Sequence, residues 1–235
     1  MEFHPDKCQL LRVSKKKSPS EYTYSIHSSD ISETTHAKYL GVTISNNLSW
    51  NRHINNICGK ANSTINFLHR NFKSCSPKVK DRLYCTYVRP ALEYCSSVWD
   101  PHTKLNINKL EGVQRRAARF VNKNFSRETR VTPMLQDLNW VPLSERRARA
   151  KTTLMFKAIN NLVHIPTDHL SFAQACTRQN SNFFIPFCKT DPYRHSFYMN
   201  SIRLWNALPE SCRSSPSLES FKSSLSTLTL RSSYH

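Results

Sequence analysis

The spacing of apolar residues along the chain changes near residue 45. Before that point, alternating or β-branched residues mark the segments 7–13, 22–26 and 38–44 as strands. After it, apolar residues recur every three or four positions, which places them on one face of a helix. The pattern predicts an α+β chain with a short N-terminal antiparallel β segment over 1–45, a mainly α-helical bundle and a helical C-terminal region.

Three helices are predicted over 46–128. The first spans 50–72 and the third spans 104–123. The second begins at Pro77, is kinked by Pro90 and ends at Asp100. Short connections favour an antiparallel three-helix bundle. The inward positions of the second helix are expected to be Val79, Leu83, Tyr87, Ala91, Cys95 and Val98.

The remaining residues, 129–235, predict a helical C-terminal region. Helices are expected over 132–140 and 142–163, and 166–192 shows no clear period and is expected to be a loop. The inner face of the longer helix is predicted to hold Leu143, Ala150, Leu154, Ile159 and Leu162. A terminal amphipathic helix is predicted after Pro216, because apolar residues lie at helical spacing at Leu218, Phe221, Leu225 and Leu228.

Composition excludes several protein classes. The only glycines are Gly41, Gly59 and Gly112, too far apart for a dinucleotide-binding motif, a P-loop or a serine-hydrolase elbow. Eight cysteines occur without a CxxC pair, which favours reduced thiols in an intracellular protein of the nucleus or cytoplasm. No apolar run reaches membrane-spanning length, so no membrane partner is expected.

Positive charge is the strongest chemical signal. The chain holds 34 Lys and Arg against 16 Asp and Glu, a formal net charge of +18, which favours a polyanionic partner. Between 104 and 157, thirteen basic residues face four acidic ones. A solvated face would normally mix signs, and arginine reads phosphate with a planar fork. The candidate nucleic-acid-binding residues are therefore a stripe on the third helix and a second cluster: Arg115, Arg116, Arg119, Lys123, and Arg146, Arg147, Arg149, Lys151.

Evidence for a metal site or a catalytic centre is weak. The loop-rich region holds His164, His169, Cys176, Cys188 and His195, whose gaps match no zinc module, so no metal ligand is assigned. No two acidic residues are adjacent, whereas two-metal phosphoryl transfer needs clustered carboxylates. We therefore assign no catalytic residue and expect no cofactor in this chain.

Two smaller features have two interpretations each. The run Lys15-Lys16-Lys17 is either a localisation signal or, more often for such runs, a solvated turn. Tyr39, beside Lys38, either contacts a sugar-phosphate chain or is a buried strand tyrosine, and the second is the safer prediction.

Several segments together resemble the end of the reverse transcriptase of non-LTR (LINE-type) retrotransposons, especially the jockey and chicken-repeat groups. They occur in order from residue 5 to about residue 222, so the resemblance covers nearly the whole chain. The segments are PDKC at 5–8, KYLGVTI at 38–44, LSWN at 48–51, VRPALEY at 88–94, VWDP at 98–101, VQRRAARF at 113–120, WVPL at 140–143 and WNALP at 205–209.

The resemblance implies that successive segments of the chain correspond to different parts of the polymerase. Residues 1–45 resemble the palm after its catalytic aspartates, with Lys38, Tyr39, Leu40 and Gly41 in a strand similar to the primer grip. Residues 46–128 resemble the thumb, and 129–235 the C-terminal region. In the family, a Mg-dependent Asp-Asp hairpin lies just upstream of the segment that resembles 5–13.

The expected function is therefore that of a non-catalytic part of an RNA-directed DNA polymerase. Its expected partners are RNA, DNA or an RNA–DNA hybrid, together with a separate palm and fingers portion. Two alternatives stay open. One is a retained scaffold or protein-interaction module without a nucleic-acid role, and the other, less favoured, is an intact enzyme of another class such as a nuclease.

Overall fold

The computed structural model describes residues 4, 7–14, 16–18, 22–126, 128–167, 170–172 and 182–230. It confirms the α+β class, with short strands in the N-terminal part and helices in the rest. The chain forms two compact units, and the boundary between them falls between Ile57 and Cys58. Residues 5 and 6 of the PDKC segment lie outside the described residues, as do Lys15, His169 and Cys176.

The N-terminal unit is built from pairs of very short strands. The strands are β1 Leu10–Leu11, β2 Ser25–Ile26, β3 Ser29–Asp30, β4 Glu33–Thr34, β5 His36–Tyr39 and β6 Val42–Ser45. Strands β2 and β3 pair in antiparallel fashion, as do β5 and β6, whereas β1 pairs with β4 in parallel. The predicted antiparallel segment thus contains one parallel pair.

The predicted single strand over 38–44 is instead a hairpin. Tyr39 pairs with Val42, and the two residues between them, Leu40 and Gly41, have φ values of 44° and 85°. Positive φ at both central positions is what a type I′ hairpin turn requires, and glycine adopts it without strain. Tyr39 is 68% exposed, so the prediction of a buried strand tyrosine is wrong. The backbone N–H of Thr43 donates to Nδ1 of the buried His53 at 3.2 Å.

Helices make up most of the chain from residue 51 onward, and the first of them crosses the boundary between the two units. They are α1 Asn51–Asn71, α2 Pro77–Leu83, α3 Arg89–Glu93, α4 Ser96–Trp99, α5 Lys104–Val121, α6 Val131–Asp137, α7 Leu143–Ile159, α8 Asp191–Arg194, α9 Phe197–Asn206, α10 Glu210–Arg213 and α11 Leu218–Thr227. A π-helical segment, Tyr84–Val88, joins α2 to α3, so the backbone is helical without interruption over 77–93.

The apolar face of α5 is the one that the sequence predicts, with Leu110, Val113 and Ala117 buried. For the second predicted helix, the prediction of the buried face is wrong by one residue. Val79 and Tyr87 are exposed there, while Tyr84, Val88 and Leu92 are buried. The ring of Tyr84 stacks on Trp140 at 4.1 Å between centroids, which connects this helix to the segment before α7.

The C-terminal region packs around α7, which contacts α9 and α11. Phe156 of α7 stacks on Phe221 of α11 at 4.3 Å, and Trp205 of α9 lies 5.9 Å from the same ring. The predicted terminal helix is confirmed, and its N-cap Ser217 accepts a hydrogen bond from the N–H of Ser220 at 3.1 Å.

The predicted inner face of α7 is only partly right. Leu143 is buried, but Ala150 is exposed and Leu162 lies beyond the helix with 57% of its surface exposed. The buried face runs instead through Ala148, Met155 and Phe156, together with two cations described below. In the described part of the chain, no helix combines the length and apolarity that a bilayer crossing needs.

Candidate nucleic-acid interface

Helix α5 presents two of the predicted arginines to solvent. Its buried residues recur every three or four positions, so the positions between them face outward, and Arg115 and Arg116 are both exposed. The one acidic residue of the helix, Glu111, accepts a hydrogen bond from the N–H of Ser144 at 2.8 Å. Because this carboxylate serves the N-terminus of α7, it does not neutralise the arginines.

Arg116 is oriented by two asparagines of α1. Its Nη2 donates to Oδ1 of Asn66 at 2.7 Å, and its Nη1 donates to Oδ1 of Asn62 at 3.5 Å. These are neutral partners, so the guanidinium keeps its full charge while its direction is fixed. Asn62 and Asn66 were missed by the sequence reasoning, and their amides can themselves donate to phosphate or sugar oxygens.

The side-chain contacts between α1 and α5 advance in the same direction along both helices. Arg116 faces Asn62 and Asn66, and four residues further along α5 the ring of Phe120 meets His69 at 6.0 Å between centroids. Arg70 is exposed at this end of α1, and Lys123 is exposed just beyond the end of α5. Two further cations therefore lie at the same end of the helix pair.

Arg115 and Lys123 are held loosely in comparison. Nη2 of Arg115 donates to the carbonyl of Asn108 at 3.3 Å, which folds the side chain back along its own helix. Lys123 follows the C-cap Asn122 with φ at 52°. This left-handed turn ends the helix and leaves the amine in solvent.

Arg119 has a structural role that the predicted stripe did not include. Its Nη2 donates to the carbonyl of Thr129 at 3.0 Å, and Nη1 donates to the carbonyl of Ser126. The half-buried guanidinium therefore closes the loop that follows α5. We remove Arg119 from the set of phosphate-contacting residues, since its donors are used by backbone carbonyls.

The second predicted cluster, on α7, does not form a basic surface. Arg146 pairs with Glu93 through Nε and, at 3.0 Å, through Nη2, and this hydrogen bond raises the pKa of Arg146. Arg149 pairs with Glu145 at 2.6 Å and also donates to the carbonyl of Ser226 at 3.1 Å. Both cations are neutralised by carboxylates within the fold.

The other two members of that cluster are buried. Arg147 and Lys151 are each 1% exposed, and both contact the buried carboxylate of Asp100, with Nε–Oδ1 at 2.6 Å and Nζ–Oδ2 at 2.5 Å. A side chain so deeply buried cannot meet a polyanion. The prediction that Arg147 and Lys151 bind nucleic acid is therefore wrong, because their spacing of four places both on the inner face of α7.

A sequence signal for the α1 contribution did exist. No aspartate or glutamate occurs between Glu33 and Asp81, and α1 carries Asn62, Asn66 and Arg70 along one row at a spacing of four. Counting only lysines and arginines overlooks such a stretch, because its positive potential comes from the lack of aspartate and glutamate. The term α1–α5 surface is used below for Asn62, Asn66, Arg70, Arg115, Arg116 and Lys123.

The hairpin that resembles a primer grip belongs to the N-terminal unit. Lys38, Tyr39 and Leu40 are exposed there, and Gly41 supplies the turn. The structure brings these four residues together at the tip of β5 and β6 and not along one strand. Exposure leaves Tyr39 accessible to a ligand.

No group of three His, Cys, Asp or Glu side chains that could hold a metal occurs among the described residues. His102 and His195 do lie together, and their rings stack at 3.9 Å between centroids with an interplanar angle of 6°. Burial, with a smaller contribution from His102, lowers the pKa of His195. A stacked ring pair of this kind suits packing.

Comparison with known proteins gave no match for this chain among family models, curated proteins or solved structures.

Proposed function

We propose that the chain binds the backbone of RNA or of an RNA–DNA hybrid through the α1–α5 surface. The observation that carries the proposal is Arg116, an exposed guanidinium held by two neutral amides and not paired with a carboxylate among the described residues. Charge-assisted hydrogen bonds to phosphate are stronger than neutral ones, and a pre-oriented donor loses less freedom on binding.

The dimensions of the surface suit a nucleic-acid strand. Arg116 and Lys123 are seven residues apart, which corresponds to about 10 Å along a helix. Phosphates of one strand advance about 3.4 Å each along a duplex axis, so the surface spans about three of them. The contacts are directed at the backbone, which predicts binding with little sequence preference.

The resemblance to LINE-type reverse transcriptases gives this proposal its context. In that context α1 to α5 correspond to the thumb, and the hairpin tip with Lys38 and Tyr39 corresponds to the primer grip. We propose that residues 1–235 hold the template–primer, in the nucleus or cytoplasm. The described cysteines are free thiols, which agrees with a reducing compartment.

A charge-reversal experiment tests the proposal. Arg115→Glu with Arg116→Glu should weaken binding of a fluorescein-labelled RNA–DNA hybrid by about tenfold or more, measured by anisotropy at fixed salt. The matched control is Arg130→Glu with Lys222→Glu, which changes the net charge equally on exposed residues outside the surface.

The two variants separate local contact from global charge. The control should keep at least a third of the wild-type affinity, a loss of about 0.7 kcal/mol or less. If both double variants lose affinity equally, binding follows net charge and the α1–α5 surface has no special part. If neither loses affinity, the proposed function is wrong.

A further inference from the structure

The helical stretch over 77–93 carries two rows of mainly apolar residues, and only one of them faces the core. The inner row is Lys80, Tyr84, Val88 and Leu92, all buried. The second row, called the outer row below, is Val79, Leu83, Tyr87 and Ala91. Val79 is 42% exposed and Tyr87 is 62% exposed; Ala91 is exposed and Leu83 half-buried.

The π-helical segment explains how both rows remain straight. A spacing of four residues exceeds the 3.6 residues of an α-helical turn, so such a row rotates by about 40° at each step. A π-helical turn takes about 4.4 residues and rotates the row back. Because Tyr84–Val88 is π-helical, the row with Tyr87 stays on one side of the helix.

The inner row is fully occupied, so the helix cannot turn its other face inward. Tyr84 stacks on Trp140, and the amine of Lys80 donates to the carbonyl of Lys73 at 3.1 Å while it lies 5.0 Å from the centre of the Phe120 ring. These contacts fix the rotation of the helix. The outer row is left as an apolar strip about 18 Å long, given 1.5 Å per residue.

The exposed charges of this helical stretch are positive. Lys78 and Arg82 are exposed and Arg89 is half-buried. The two acidic residues of the stretch are engaged by the fold: Asp81 accepts from Nε1 of Trp140 at 2.8 Å, and Glu93 pairs with Arg146. The surroundings of the row therefore favour an acidic partner.

We propose that the outer row docks an amphipathic helix of a partner protein, one whose apolar seam is flanked by aspartate and glutamate. An apolar row at a spacing of four matches the seam of a second helix, and tyrosine at its centre is a typical anchor of such contacts. This site goes beyond the proposed nucleic-acid function and shares no residue with the α1–α5 surface.

Other occupants fit the strip less well. A second copy of the chain would bring Lys78, Arg82 and Arg89 of both copies together, and like charges at an interface oppose association. A nucleic-acid strand would use Tyr87 for stacking, but Val79 and Ala91 offer no ring on which a base could stack.

A designed peptide tests the site in the full chain. The probe is a fluorescein-labelled 18-residue helix with leucine at every third or fourth position and glutamate beside the seam. Its binding, measured by anisotropy, should weaken by about tenfold or more in Tyr87→Asp, and likewise in Ala91→Glu. Leu105→Asp is the control, since Leu105 is 66% exposed on α5 outside the row.

Each other outcome overturns the inference in a defined way. A scrambled peptide of equal composition that binds as tightly shows that charge alone drives association. Loss of oligouridylate binding in Tyr87→Asp, beyond the loss in Leu105→Asp, assigns the row to nucleic acid. A dimer of the wild-type chain in sedimentation that is abolished by Tyr87→Asp assigns it to a second copy. No peptide binding refutes the site, and the α1–α5 surface is unaffected by that result.

Discussion

The carboxylate of Asp100 is expected to be the most sensitive single group for stability in the second unit. It lies at the end of α4, is 7% exposed, and contacts two cations of α7 that are each 1% exposed. Asp100→Asn keeps the shape of the side chain and removes its charge. The carboxylate that both buried cations contact would then be replaced by a neutral amide, and Nη1 and Nη2 of Arg147 already have no hydrogen-bond partner among the described residues.

The expected loss is about 3–5 kcal/mol, the range measured when one partner of a buried ion pair is removed. That is a large part of a typical total stability of about 5–15 kcal/mol. Guanidinium chloride unfolding followed by tryptophan fluorescence measures it, because the buried Trp99 precedes Asp100 directly. Asp137→Asn is the control, since Asp137 is exposed, and it should change stability by about 0.5 kcal/mol or less.

A second comparison separates charge from packing. If the destabilisation of Asp100→Asn arises from the two buried cations, the triple variant Asp100→Leu/Arg147→Met/Lys151→Met should recover most of the lost free energy of unfolding. The reason is that an apolar set of similar volume needs no counter-charge. A loss below about 1 kcal/mol in Asp100→Asn, or methionine substitutions that add to the loss, would refute the reasoning.

Three further outcomes follow from the packing. Tyr84→Phe should leave the free energy of unfolding unchanged or raise it by about 1 kcal/mol, because the Tyr84 hydroxyl is buried with no hydrogen-bond partner in the described part of the chain; a clear loss in urea unfolding would contradict this. Burial lowers the pKa of His195 in the folded chain, so as the pH falls the unfolded chain binds a proton at this residue first. The free energy of unfolding is therefore unaffected by His195 above the ordinary histidine pKa of about 6.5, and it decreases as the pH drops below that value. His195→Phe keeps a ring against His102 and should reduce the loss between pH 7.5 and 5.5; an equal loss in the variant would count against the explanation. Arg149→Met should lower the hydrogen-exchange protection of α11, because Arg149 donates to the carbonyls of Ser226 and Leu228 at the end of that helix, whereas unchanged protection would show that the apolar contacts suffice.

Elements with one apolar row were predictable from the sequence. Helices α1, α5 and α11 each show a single set of apolar residues three or four positions apart, so periodicity alone identifies the buried face. The stretch over 77–93 has two such sets, one residue apart. The choice between Tyr84 and Tyr87 as the inner tyrosine depended on Trp140, which is distant in sequence and was not available to a local pattern.

The basic clusters show a different limit. Arg115 and Arg147 look alike in sequence, since each sits on a helix beside other cations. What separates them is Asp100, which reaches Arg147 across 47 positions and neutralises a buried charge. The buried cations of α7 occupy positions on its inner face, and Ala150 lies outside that face. Local charge patterns therefore indicated a basic protein correctly but could not assign each cation to the surface or to the interior.

The hairpin at Leu40-Gly41 was missed for a local reason. The β-branched residues of 38–44 predict one strand, yet the glycine among them also permits the positive φ of a two-residue turn. The flanking residues, Tyr39 and Val42, pair across that turn and continue the apolar pattern, which concealed the reversal.

The salt dependence of binding tests the central claim most directly. The logarithm of the association constant for an RNA–DNA hybrid is measured against the logarithm of NaCl concentration for the wild type and for Arg115→Ala/Arg116→Ala/Lys123→Ala. If these side chains contact phosphates, removing them lowers the magnitude of the slope by about two to three, because each lost contact releases about one counterion fewer. An unchanged slope, with binding retained, would contradict the assignment of nucleic-acid binding to the α1–α5 surface.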